Sequence, residues 1–87
     1  MKDLKKKIFD CIKMFEVIYS HQKEFNVGTI RLWRLKRLRD KVKDYLPIID
    51  MNDAKYITKK IARDIDYVYI VFKTIVEEKE SNKNTGL

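Results

Sequence analysis

Thirteen residues near the middle of the chain hold most of its capacity for chemistry: Arg31-Leu32-Trp33-Arg34-Leu35-Lys36-Arg37-Leu38-Arg39-Asp40-Lys41-Val42-Lys43. Seven are basic, and four of the five arginines of the chain fall here. Over residues 26–46 only Asp40 and Asp44 oppose them, so this stretch carries +5 of the total +7. Guanidinium groups match phosphate through paired hydrogen bonds, and an outward tryptophan can stack on a base. The chemistry is that of holding a polyanion.

On a helical wheel Leu35, Leu38 and Val42 point one way, while Trp33, Lys36 and Arg37 point broadly the other. Arg39 and Lys43 flank one side of the apolar stripe, Arg34 and Lys41 the other. The candidate nucleic-acid-binding set is therefore Arg31, Trp33, Arg34, Lys36, Arg37, Arg39, Lys41 and Lys43. Phosphate contacts from this helix predict weak base selectivity and strong salt dependence. The plainer alternative is a solvated face whose long basic side chains lie over the core edge. Trp33 would then simply cover the bundle end beside the Asn26–Thr29 turn. A helix-turn-helix is not expected, because such modules use short, steeply crossed helices.

A second set lies further on. Tyr56, Arg63, Tyr67, Ile70 and Thr74 follow a 7-4-3-4 spacing, on a face opposite or oblique to the apolar stripe of their helix. A three-helix bundle needs one broad stripe per helix, so this weaker one is surplus. Tyrosine and arginine are favoured at interface hot spots, which makes these five a candidate partner or homodimer face. Scattered exposed Tyr and Ile are the ordinary alternative.

Catalysis finds little support. The sole histidine, His21, has Glu24 three residues later and reads as a solvated side chain. Cys11 falls in an apolar stripe and acts as a small hydrophobe. Asp64 and Asp66 are two apart on a helix, hence on different faces, and are no acid/base pair. One Cys and one His cannot build a metal site of the zinc type, and no Gly-rich phosphate loop occurs. No catalytic residue, metal or cofactor is expected.

Composition sets the wider frame. At 87 residues the chain makes one domain, with too little length for a core plus a separate cleft. Twenty Lys and Arg against thirteen Asp and Glu favour an anionic partner: DNA, RNA or an acidic protein. A single cysteine forbids an internal disulfide and suits a reducing compartment, the cytoplasm or that of a host cell. Asp10 and Lys13 interrupt the first apolar run before it could serve as a signal peptide. The longest such run, Tyr67–Phe72, is too short to span a bilayer, so no stable membrane insertion is expected. Lys2, Lys5, Lys6 and Lys7 beside Ile8 and Phe9 suggest a membrane-surface helix, but Asp3, Asp10 and Glu16 break its basic face.

The elements that must position these residues follow from breaks and periodicity. Gly28, Pro47 and Gly86 are the only glycines and proline. They predict an all-α, antiparallel three-helix bundle, up-down-up, with room for dimerisation to complete it. Helix one is expected over about 3–23, with Leu4, Ile8, Cys11, Phe15, Ile18, Gln22 and Phe25 as its stripe, widened by Ile12, Tyr19 and Met14. It breaks at Asn26-Val27-Gly28, where Asn or Gly can take a left-handed cap. Helix two is expected from an N-cap at Thr29 to about Tyr45, because Pro47 disfavours helix at Leu46. Helix three is capped by Asp50 or Asn52 and runs over about 53–80. Ile57, Ile61, Ile65, Val68, Phe72 and Ile75 form its stripe, with Ala54, Tyr69 and Val76 beside them. Residues 81–87 are expected as a loose tail.

Small, basic, helical proteins include nucleic-acid accessories, phage or mobile-element regulators and immunity-type inhibitors. The reading that best fits is a non-catalytic nucleic-acid-associated protein; the alternative is a protein-interaction module acting through helix three.

Overall fold

The computed structural model describes residues 2–50 and 59–85. They form four helices: α1 (Lys2–Ser20), α2 (Thr29–Lys43), α3 (Leu46–Asp50) and α4 (Lys59–Thr85). Among the described residues there is no strand. The fold is a three-helix bundle of α1, α2 and α4, each touching the other two, with short α3 packed on α1.

Named contacts give the helix directions. Lys7 Nζ donates to Asp66 Oδ1 at 2.6 Å, and the rings of Phe15 and Phe72 lie 6.3 Å apart. Numbering rises together along both helices, so α1 and α4 run parallel. Arg39 stands over the Phe15 ring, while Lys36, earlier in α2, lines a groove with Tyr19, later in α1. The C-terminal end of α2 meets the start of α4 through Tyr45 and Asp64. Thus α2 is antiparallel to both.

The 4-3 apolar spacing is the cause of this packing, since it keeps one stripe of each helix on one side. Ile8, Cys11, Phe15 and Ile18 of α1 are buried against Leu35 and Val42 of α2 and Ile65, Val68, Phe72 and Ile75 of α4. Val27 and Ile49 close the ends of this core. Each fully buried aliphatic or aromatic side chain contributes roughly 1.5–3 kcal/mol relative to exposure. No described buried residue is polar or charged.

Several boundaries differ from expectation, each for a local reason. Helix α1 ends at Ser20, earlier than Lys23, and 21–26 continue as turns. Asn26 takes the left-handed conformation at φ 54°. Its N–H donates to the Lys23 carbonyl, and that of Val27 to Gln22. This pair of bonds is the Schellman pattern, which satisfies carbonyls at a helix end, and it turns Val27 into the core. The N-cap of α2 is Gly28, at φ −78° and ψ 169°, and not Thr29, which begins the helix. Helix α2 stops at Lys43, and the expected break at Leu46 is instead the start of α3. Pro47 fits there because the first helical turn leaves N–H groups unpaired anyway.

Asp50, a proposed cap of the last helix, falls in α3. Asn52, Asp53, Ala54, Tyr56 and Ile57 lie outside the described residues. Helix α4 runs to Thr85, past the end expected near Glu80. Tyr19, expected to widen the α1 stripe, is 55% exposed.

Candidate functional site

Helix α2 is bound to the bundle by Leu35 and Val42, with Leu32 and Leu38 half-buried beside them. That anchoring turns the opposite side outward. Arg31, Trp33, Arg34, Lys36, Arg37, Lys41 and Lys43 are exposed, whereas Arg39 is half-buried. Trp33 is 62% exposed, so it does not serve as a lid on the bundle end. Its ring has Lys36 Nζ 5.4 Å from its centroid, a cation held where a stacked base would also find one.

The eight candidates are not equivalent. Arg39 lies with its guanidinium carbon 4.6 Å from the Phe15 centroid and is bonded to Asp40 Oδ1 at 2.7 Å. It is spent on packing α2 against α1. Lys41 Nζ sits 3.4 Å from Asp64 Oδ2 and ties α2 to α4. Arg31, Arg34, Arg37 and Lys43 form no ion pair with a described residue. Of these, Arg37 shares the outer face with Trp33 and Arg34 stands exposed at its edge, and both leave their guanidinium forks available.

Ile30 belongs to the same face and is 74% exposed. It stands outside the Arg31–Lys43 run, so counting basic residues does not find it. The spacing does find it: Ile30 precedes Trp33 by three and Arg34 by four, so it neighbours both on the helix surface.

Between α1 and α2 runs an open groove of about 460 Å³, lined by Phe15, Glu16, Tyr19, Ser20, Lys36 and Arg39. It continues past Trp33, Leu32 and Thr29. The Phe15 and Tyr19 rings are 6.0 Å apart within it. Its aromatic floor and basic wall adjoin the exposed α2 face, although Glu16 places an anion on the other wall.

The second candidate set falls on α4. Arg63, Tyr67, Ile70 and Thr74 are all exposed, Tyr67 at 61% and Ile70 at 59%. They stand away from Ile65, Val68 and Phe72, which face the core.

The remaining reactive side chains have structural surroundings. Burial, with a smaller contribution from Asp10, pushes the Cys11 thiol up to about 12, away from the nucleophilic thiolate. His21 is exposed, with Nδ1 3.7 Å from Glu24 Oε1. Asp64 and Asp66 do face different helices, toward Tyr45 and Lys7 respectively. A hydrogen bond from Tyr45 holds the Asp64 carboxyl below the usual range, partial burial opposes this, and Lys41 adds to it. Among the described residues no cluster of His, Cys, Asp or Glu could hold a metal ion, and no helix is long and apolar enough to cross a membrane.

Compared with known protein families, curated protein sequences and solved structures, the chain matches none.

Proposed function

We propose that this is a non-catalytic nucleic-acid-associated protein that contacts the phosphate backbone through the outer face of α2. The observation that carries this reading is the placement of Trp33 and Arg37 on one exposed face with Arg34 exposed at its edge, both arginines being free of ion pairs to described residues. Arginine forks without internal partners meet phosphate at no cost in broken ion pairs. The exposed indole supplies a surface on which any base can stack. A reducing intracellular setting accords with the lone buried cysteine.

Titrating Trp33 fluorescence with a short duplex DNA and a single-stranded RNA tests the reading. Saturable quenching is expected. With Arg31, Arg34, Lys36 and Arg37 as contacts, affinity for duplex should fall with a log–log salt slope of about −3 to −4. That is roughly a hundredfold loss between 50 and 200 mM salt. Joining Arg34→Glu to Arg37→Glu should abolish binding with helical content unchanged. Full affinity in that variant, or no binding by the native chain to either ligand, overturns the proposal. Lys41→Glu is the wrong probe, because it would set a carboxylate beside Asp64 and disturb the α2–α4 contact.

A second reading, protein contact through α4, is favoured by the exposure of Tyr67 and Ile70 together on one face. An acidic protein on α2 is the corresponding alternative for the basic face.

A further inference from the structure

The outer face of α4 is ordered by charge along its length. Lys59, Lys60 and Arg63 stand exposed at its start, Tyr67, Ile70 and Thr74 in the middle, and Glu77 and Glu78 beyond them. Arg63 and Glu77 lie seven residues before and after Ile70, two helical turns each way, so all three share one face. Lys73 and Glu77 are 3.9 Å apart along the helix, a loose surface pair that leaves the Glu77 carboxylate 61% exposed.

Such a pattern is its own complement when the helix is reversed. We propose that α4 pairs with α4 of a second copy of this chain, antiparallel, about a two-fold axis through Ile70. This deepens the reading of α4 as a contact face by committing it to one occupant, and it is independent of nucleic-acid binding by α2. In the pair, Ile70 meets Ile70 of the second copy. Arg63 of each chain faces Glu77 of the other, and Lys60 falls near Glu78. Tyr67 lies beside Thr74 across the axis. Every contact occurs twice, as an isologous interface requires. A parallel pair is disfavoured, since it would set Arg63 against Arg63 and Glu77 against Glu77.

Charge complementarity selects the second copy over an unrelated acidic partner. An acidic protein would gain from Lys59, Lys60 and Arg63 but be repelled by Glu77 and Glu78 on the same face. One helix pair is a small interface, below ~1,200 Å² in total, so the dimer is expected to be reversible and dependent on concentration.

Sedimentation equilibrium over a range of concentrations tests the pairing, with circular dichroism to establish that each variant is helical. Native chain should rise toward twice its 10.5 kDa. Arg63→Glu and Glu77→Arg should each weaken association about tenfold, because like charges then meet at both symmetry-related contacts. Their combination should restore it, since the complementarity is only exchanged. A monomer at every concentration overturns the proposal, as does a double variant no better than the singles. Oxidative cross-linking supplies a readout that needs no charge change. Ile70→Cys should form a dimer through its own thiols, while Arg63→Cys, far from its symmetry mate, should not. Cross-linking of Arg63→Cys without Ile70→Cys would mean a different pairing and overturn the register. Native chain, with Cys11 buried, is the blank. Failure here leaves the salt-dependent fluorescence of Trp33 untouched, and the converse also holds.

Discussion

The Tyr45 hydroxyl donates to Asp64 Oδ2 across 2.8 Å and fastens the turn that follows α2 to α4. Lys41 approaches the same oxygen from one turn earlier, at 3.4 Å. The three residues form the polar clasp at the end of the bundle where the basic helix joins the core.

This clasp should be acid-sensitive. The bond from Tyr45 lowers the folded pKa of Asp64 below its ordinary 3.8. Stability from the ionised carboxylate is therefore present above about pH 4 and lost as pH falls through the folded value. Asp64→Asn should lower the urea midpoint at pH 7, and by a smaller amount at pH 3. An equal difference at both pH values would show that the carboxylate charge plays no part.

Cys11 behaves with the opposite sign. Its pKa rises from 9.0 to about 12 on folding. The protection of the neutral thiol is complete below about pH 9 and is lost as pH climbs toward 12. At pH 8 a thiol reagent such as Ellman's should label native protein only as fast as the chain opens, and urea should accelerate labelling in step with unfolding. Labelling at the rate of a free thiol would place Cys11 outside the core.

Phe72 is the largest fully buried side chain among the described residues, and its ring lies 6.3 Å from that of Phe15. Phe72→Ala should cost about 3–5 kcal/mol through lost transfer energy and the cavity left behind. A domain of this length has roughly 4–13 kcal/mol in all. The variant is thus expected to lose a large share of its stability at 25 °C, with Phe72→Leu much milder. Urea titration followed by circular dichroism would measure both.

Gly28 offers a gain. It caps α2 with an extended backbone at φ −78°, which any residue adopts, and nothing lies within 4 Å of an added Cβ. No side chain caps this helix and no acidic residue occupies its first turn. Gly28→Asp would supply a capping oxygen, a charge matched to the helix dipole and a stiffer unfolded chain. A stabilisation of about 0.5–1 kcal/mol is expected, seen as a rise in Tm of several degrees. An unchanged or lower Tm would mean that the cap stays unformed.

What could be read from sequence was what periodicity controls. Ile8, Cys11, Phe15 and Ile18, and Ile65, Val68, Phe72 and Ile75, repeat at helix spacing, and all eight are buried. The outward turn of Trp33, Tyr67 and Ile70 follows from the same rule. Tyr19 sits near the stripe angle, yet the α1–α2 groove opens beside it, and the width of a groove depends on the partner helix. The engagement of Arg39 with Phe15 and Lys41 with Asp64 depends on tertiary approach, so the sequence showed eight equivalent candidates where the structure distinguishes them. Pro47 reads from sequence as a barrier to helix but also suits a first turn, so local propensity does not reveal α3.

The wholly apolar character of the described core has an evolutionary consequence. No buried hydrogen bond in it demands a particular pair of residues, so volume and stripe position are what must be kept. Hydrophobic exchanges of similar volume are tolerated by such interiors. Two chains could then share this architecture while having few core identities left in common, each having drifted through Leu, Ile, Val and Phe. Kinship among them would be recorded on the outside, in the arginines of α2 and the ordered charges of α4, where exchange of one residue type for another changes what the surface meets.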